Sequence, residues 1–223
     1  MKKIVMLFAL TLAGALSLCA APTKADLDGR IRKWTAKFDS MQQSDKRVPA
    51  DKLRKAQGII LLDRTKAGFI FAYQGGGGVA MVKDSHGDWS PVALLSATEA
   101  SLGLQIGGEQ NFFVILLMTT NATQKLTDSI IDFGGEARGT GGDQSSGVEG
   151  DVNHEDAILI YSDRKGLYGG VSVKGGAISP DQDANEIYYG AYVTMQDILF
   201  SKKLKPTVPA TELADKIKTY SAK

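Results

Sequence analysis

Two histidines, one run of acids and one basic turn are the residues of this chain whose types and spacing bear on chemistry. His86 lies in "KDSHGDW" between Asp84 and Asp88, and His154 in "VNHEDA" ahead of Glu155 and Asp156. A divalent cation needs several such donors converging on one point, and neither spacing forces the two loops together, so solvated loop histidines account for both. "DQDANE", Asp181 to Glu186, opens like a calcium loop, but Glu186 stands where that loop requires glycine and Tyr192 where it requires a bidentate glutamate. Acids placed at a helix N-terminus, favoured by its dipole, explain the run better. "GGVSVKG" has Gly170 two residues before Ser172 but Lys174 two after it, which spoils a nucleophile elbow. No glycine-rich run ends in Gly-Lys-Ser/Thr, so the Walker phosphate loop is missing too. The expectation is a protein that is not an enzyme and uses no cofactor and no metal.

The basic residues are more informative. In "YSDRKGLYGGVSVKGG" the residues Asp163 to Gly166 suit a hairpin turn, and Gly169 and Gly170 suit a place where strands pack closely. Arg164 and Lys165 at its tip are placed to meet either solvent or a phosphate. Earlier in the chain Leu27, Ile31, Trp34, Phe38 and Met41 are spaced 4, 3, 4, 3, which puts them on one stripe of a helix spanning 26–44, with Arg30, Lys33 and Lys37 off the stripe. Such a stripe has two uses. It packs on the protein's own sheet, with Trp34 and Phe38 in the core. Alternatively it enters a membrane interface while Arg30, Lys33, Lys37, Arg54 and Lys55 attract anionic head groups, each cation near the surface contributing about 1 kcal/mol.

Export is expected from the first residues. "MKKIVMLFALTLAGALSLCAA" sets two lysines before an apolar run and ends in small residues, the layout of a signal peptide over 1–20 cut after Ala20. Lipidation of Cys19 fits less well, because bulky Leu18 precedes it. The destination expected is periplasmic, peripheral to a membrane. Charge is unevenly spread: 12 basic and 6 acidic residues over 21–66, 6 and 17 over 67–200, and 6 and 2 over 201–223. An acidic body between basic ends does not suit an extended nucleic-acid footprint, so nucleic acid is excluded as a partner.

These features must be positioned by a single core. A second helix is expected from Pro49 through "ADKLRKA". "GIILLD", "AGFIFAYQ", "GVAMVKD", "WSPVALLS", "SLGLQIGG" and "NFFVILLMT" read as strands, with Gly75 to Gly78 as a hairpin connection. "NATQKLTDSIIDF" reads as a helix capped by Asn121, and the glycine-rich residues after it as a loop. "AILIYSD" and "GLYGGVSV" add two strands. Ser179 with Pro180 starts one late helix, Thr194 and Asp197 form the capping box of another, and 210–220 makes a last one. "GIILLD" and "NFFVILLM" are too continuously apolar for strands wet on one face, so helices should bury the second face.

The succession "KAQGIILLD", "KAGFIFAYQGGGGVAMVKD", "WSPVALLS", "SLGLQIGG", "ILIYSDRKGLYGGVSV" and "DANEIYYG" resembles the SYLF (Ysc84-type) lipid-binding domain family over about 49–200. The blocks "S(D)RKGLYGGVS" and "N-x-x-YYG" are the most distinctive. The resemblance implies a compact β-rich domain without catalytic activity. Its eukaryotic relatives bind phosphoinositide membranes, some fungal ones bind actin, and the N-terminal basic segment is implicated in the membrane contact. The expectation is therefore an α+β protein with a curved antiparallel sheet or closed barrel and flanking helices. Its parts are a signal peptide over 1–20, a basic helical segment over 21–56, a β-rich domain over 57–200 and a basic tail over 201–223. Its partner is anionic lipid, bound through Arg30, Lys33, Trp34, Lys37, Phe38, Arg54, Lys55, Arg164 and Lys165. The alternative is an envelope assembly protein that uses the same stripe on a protein partner.

Overall fold

The computed structural model describes residues 21–67, 72–101, 109–131, 158–164, 166–167 and 177–222. The expected signal peptide with Cys19, the glycine-rich residues after 133, His154, Lys165, Gly169 and Gly170 lie outside these residues. Strands β1 (Gly58–Ala67), β2 (Ala72–Val82), β3 (Ala93–Ser101), β4 (Glu109–Leu117), β5 (Ile158–Ser162), β6 (Gly166–Leu167) and β7 (Ala177–Pro180) form one sheet in the order β6-β5-β4-β1-β2-β3-β7. Every neighbouring pair is antiparallel. Of the two architectures expected, the open sheet is found, because no pairing joins β6 to β7 among the described residues.

Alternation along the strands divides the core in two. Ile59, Leu61, Val79, Met81, Leu94, Val114 and Leu116 face one layer, built from helices α1 (Lys24–Gln42), α2 (Ala50–Lys55), α4 (Gln182–Tyr189) and α6 (Val208–Ser221). Ile60, Leu62, Ala80, Leu95, Ile115 and Leu117 face the other, covered by α3 (Thr120–Gln124) and α5 (Met195–Leu199). Both faces are thus buried, as the unbroken apolar runs require.

Three sequence expectations change. The glycines at 75–78 do not make a hairpin: they lie inside β2, paired with β1 and β3 on both sides. A Cβ on Gly76 or Gly78 would come within 2.2 Å of the carbonyl oxygen of Asp63 or Leu61, so these positions need glycine for backbone approach. The helix expected from Asn121 stops early, with Thr119 rather than Asn121 as its cap and Ile130 left 60% exposed. Ser179 and Pro180 end β7, and Asp181 caps α4 through its carboxylate, which accepts from Ala184 N–H at 3.2 Å. The Thr194–Asp197 capping box on α5 is present as expected.

Candidate functional site

Helix α1 begins with a capping box of Thr23 and Asp26 and buries its entire stripe in the core shared by the sheet, α4 and α6. Leu27, Ile31 and Phe38 are wholly buried, and Trp34 is 7% exposed. Gly77 makes this docking possible, because the Trp34 ring lies where a Gly77 side chain would begin, 3.2 Å from a Cβ built there. Phe38 meets Tyr220 of α6 edge-on, with ring centres 6.0 Å apart. The stripe is therefore core, and the aromatic residues expected at a membrane are inside the folded domain.

The cations expected beside them are not all in one place. Arg30 and Lys33 are exposed and form no ion pair within 4 Å among the described residues. One turn on, Lys37 donates to Asp63 Oδ2 at 2.7 Å. Asp63 stands opposite Phe112 in the register, and Asp163 in the β5–β6 turn receives the Phe112 N–H at 3.1 Å. Exposed Arg164 follows in that turn, so the hairpin expected there is present in the described residues and sits at the same end of the sheet as Lys37. Arg54 and Lys55 belong to the other end: the Arg54 carbonyl accepts from Lys83 just past β2, six residues beyond Gly77, or about 20 Å along a strand. Arg54 Nε itself donates to the Ser221 carbonyl at 3.0 Å.

Of the acidic and histidine motifs, the one around His86 is turn chemistry and the one from Asp181 is a helix cap. Asp84 accepts from Lys202 at 2.6 Å and from the backbone N–H groups of His86 and Asp88 at 2.8 and 3.0 Å. These bonds, that of Lys202 first, hold its carboxyl well below the usual range. No three potential metal donors cluster among the described residues. In "DQDANE", Glu186 accepts from Gln182 at 2.8 Å and Asp181 serves the helix cap.

Sequence reasoning missed the work of "NEIYYG". Asn185, wholly buried, accepts from Leu94 N–H at 2.8 Å and donates to the Leu94 carbonyl at 3.0 Å, continuing the edge of β3 where β7 stops. The Tyr188 hydroxyl donates to Asp28 of α1 at 2.9 Å and lies 2.6 Å from Thr207 Oγ1 ahead of α6. Burial pushes its pKa up to about 12, so it remains a donor throughout the physiological range. Tyr189 donates to the Val92 carbonyl, and Gly190 closes α4 at φ 71°. Only the i, i+3, i+4 spacing of Asn185, Tyr188 and Tyr189 hinted that this block clamps α4 onto sheet and helices together.

An antiparallel sheet buried between two helical layers, with cations on its surface, is the frame that the described residues build. No helix among those residues is long and apolar enough to cross a membrane. The family model described as "Ysc84: Las17-binding protein actin regulator" matches residues 98–220, and the chain belongs to this family. It is similar to LAS seventeen-binding protein 3 of Saccharomyces cerevisiae, with 32% identity over 73% of this chain and 36% of the yeast protein. It is also similar to SH3 domain-containing YSC84-like protein 1 of Xenopus laevis, 28% identical over 87% of this chain and 59% of that protein, and of Homo sapiens, 27% identical over 86% and 57%. The chain thus spans between about a third and three fifths of the length of these relatives.

Proposed function

We propose that the protein is an exported, non-enzymatic module that associates reversibly with anionic membrane lipid through the outer face of α1. The observation that carries this reading is that Arg30 and Lys33 are exposed and form no ion pair within 4 Å among the described residues, while the apolar face beneath them is fully docked. Contact is then electrostatic and at the surface. Trp34 and Phe38 contribute by holding α1 in position, and Arg54, Lys55 and Arg164 add long-range attraction from both ends of the sheet.

Two such exposed cations are worth about 2 kcal/mol together, roughly thirtyfold in affinity. Sedimentation of the protein with neutral and anionic liposomes tests this. Binding to anionic vesicles only, lost in high salt and reduced about thirtyfold by the double variant Arg30→Ala, Lys33→Ala at unchanged melting temperature, is the expected result. Equal binding by wild type and variant, or none by either, would discard the reading and direct attention to an envelope protein partner.

A further inference from the structure

A groove runs between α6 and the β2–β3 connection, and Lys83 stands at its centre. Its ammonium donates to the carbonyls of Arg54 at 2.8 Å and Leu53 at 3.4 Å, in the last turn of α2, and lies 4.9 Å from the centre of the Trp89 ring. Two of its three N–H donors cap that helix end. No carboxylate lies within 4 Å of it among the described residues, and burial pushes its pKa down.

The space divides at Trp89. On the α6 side it measures about 390 Å³, walled by Met81, Ala210 and Ala214 with Arg54 and Lys218. On the other it measures about 360 Å³, walled by Pro91, Ile198, Leu199, Phe200 and Leu204. Lys83, Trp89 and Pro206 border both parts. Each volume is in the range of small-molecule sites, about 300–1,000 Å³. On the α6 side Arg54, Lys83 and Lys218 outnumber Asp88 and Asp215, and on the other side Lys202 is paired with Asp84 at 2.6 Å, leaving Lys83 and Asp88 as the remaining charges beside the apolar wall.

We propose that this groove binds a single anionic amphiphile, with its phosphate or carboxylate on Lys83 and its alkyl chain along Phe200 and Leu204. The requirement for both halves follows from the lining. A free phosphate would leave the apolar wall wet, and a neutral chain would leave the ammonium with carbonyl and ring partners but no counter-ion within 4 Å. The site lies away from Arg30 and Lys33 and needs no bilayer, so it goes beyond surface association and survives or fails separately.

Trp89 supplies the readout. The chain has two tryptophans, and Trp34→Phe leaves Trp89 as the single emitter. Titration of that variant with octyl phosphate below its micelle concentration should change the emission saturably. Inorganic phosphate and octanol, tested singly, should bind at least tenfold more weakly. Lys83→Met and Leu204→Asp should each weaken octyl phosphate at least tenfold, whereas Arg30→Ala with Lys33→Ala should leave it unchanged. If Lys83→Met melts because α2 is uncapped, exposed Lys218→Glu tests the same charge without touching the helix cap. No saturable change, equal response to octanol, or unaltered affinity in the charge and wall variants that remain folded would each overturn the proposal.

Discussion

At the scale of single residues, glycine and tryptophan are matched. Gly78→Ala would bring a methyl group to 2.2 Å from the Leu61 carbonyl and should cost about 2–3 kcal/mol in urea unfolding, the upper range for overpacking. Trp34→Ala should cost about 3–5 kcal/mol, because it empties the space over Gly77. A membrane-inserting tryptophan would instead leave stability nearly intact, so the same denaturation curve separates the two roles. Asp84 supplies a pH test. Its carboxyl is depressed in the folded state, so its stabilisation is complete above the unfolded carboxylate pKa of about 3.9 and is lost as pH falls from there through the folded value. The stability difference between wild type and Asp84→Asn, measured by thermal unfolding, should therefore be present at neutral pH and shrink as pH falls below about 4. The chemistry of His86 was legible in the sequence as a turn. The glycines at 75–78 were misread because φ freedom and steric clearance leave the same mark in a sequence, and only register shows which is needed.

Among the elements, the stripe of α1 was readable as a helix face but not as a docked one. Periodicity reports that a surface is apolar and is silent on what covers it, and Gly77, the residue that receives Trp34, lies 43 positions away in the sequence. Helix α4 shows the same limit. "N-x-x-YYG" was recognisable as a family block, yet its meaning depends on Leu94, Val92, Asp28 and Thr207, none of them local. Two expected outcomes follow for this clamp. Asn185→Ala leaves the Leu94 N–H without this acceptor at a buried strand edge and should cost about 2–3 kcal/mol. Tyr188→Phe removes only the hydroxyl bonds and should cost about 1–2 kcal/mol, with exchange protection lost first where α1 meets α4. By contrast the exposed Arg32–Glu212 pair is screened by solvent, so Glu212→Gln should barely move the unfolding midpoint.

Taken as a whole molecule, the α+β class and the burial of both sheet faces were legible because strands such as "GIILLD" and "NFFVILLM" lack a polar face. Strand order was not, since no local signal tells β4 to pair with β1 rather than β3. The basic ends read from composition meet in space: α1 and α6 lie side by side through Arg32 and Glu212, Asp39 and Lys216, and Phe38 and Tyr220. That pairing joins residues 180 positions apart and carries a consequence for biosynthesis. A ribosome that has released the chain as far as Phe200 has supplied every strand of the sheet and all of α1, but not the helix that shields one side of α1. Leu213 and Ile217 are made after every strand of the sheet, and closing so long a loop is slow compared with forming either helix. The side of α1 that α6 shields therefore stays open to solvent until that helix has emerged, the kind of transient apolar exposure that invites association with other chains.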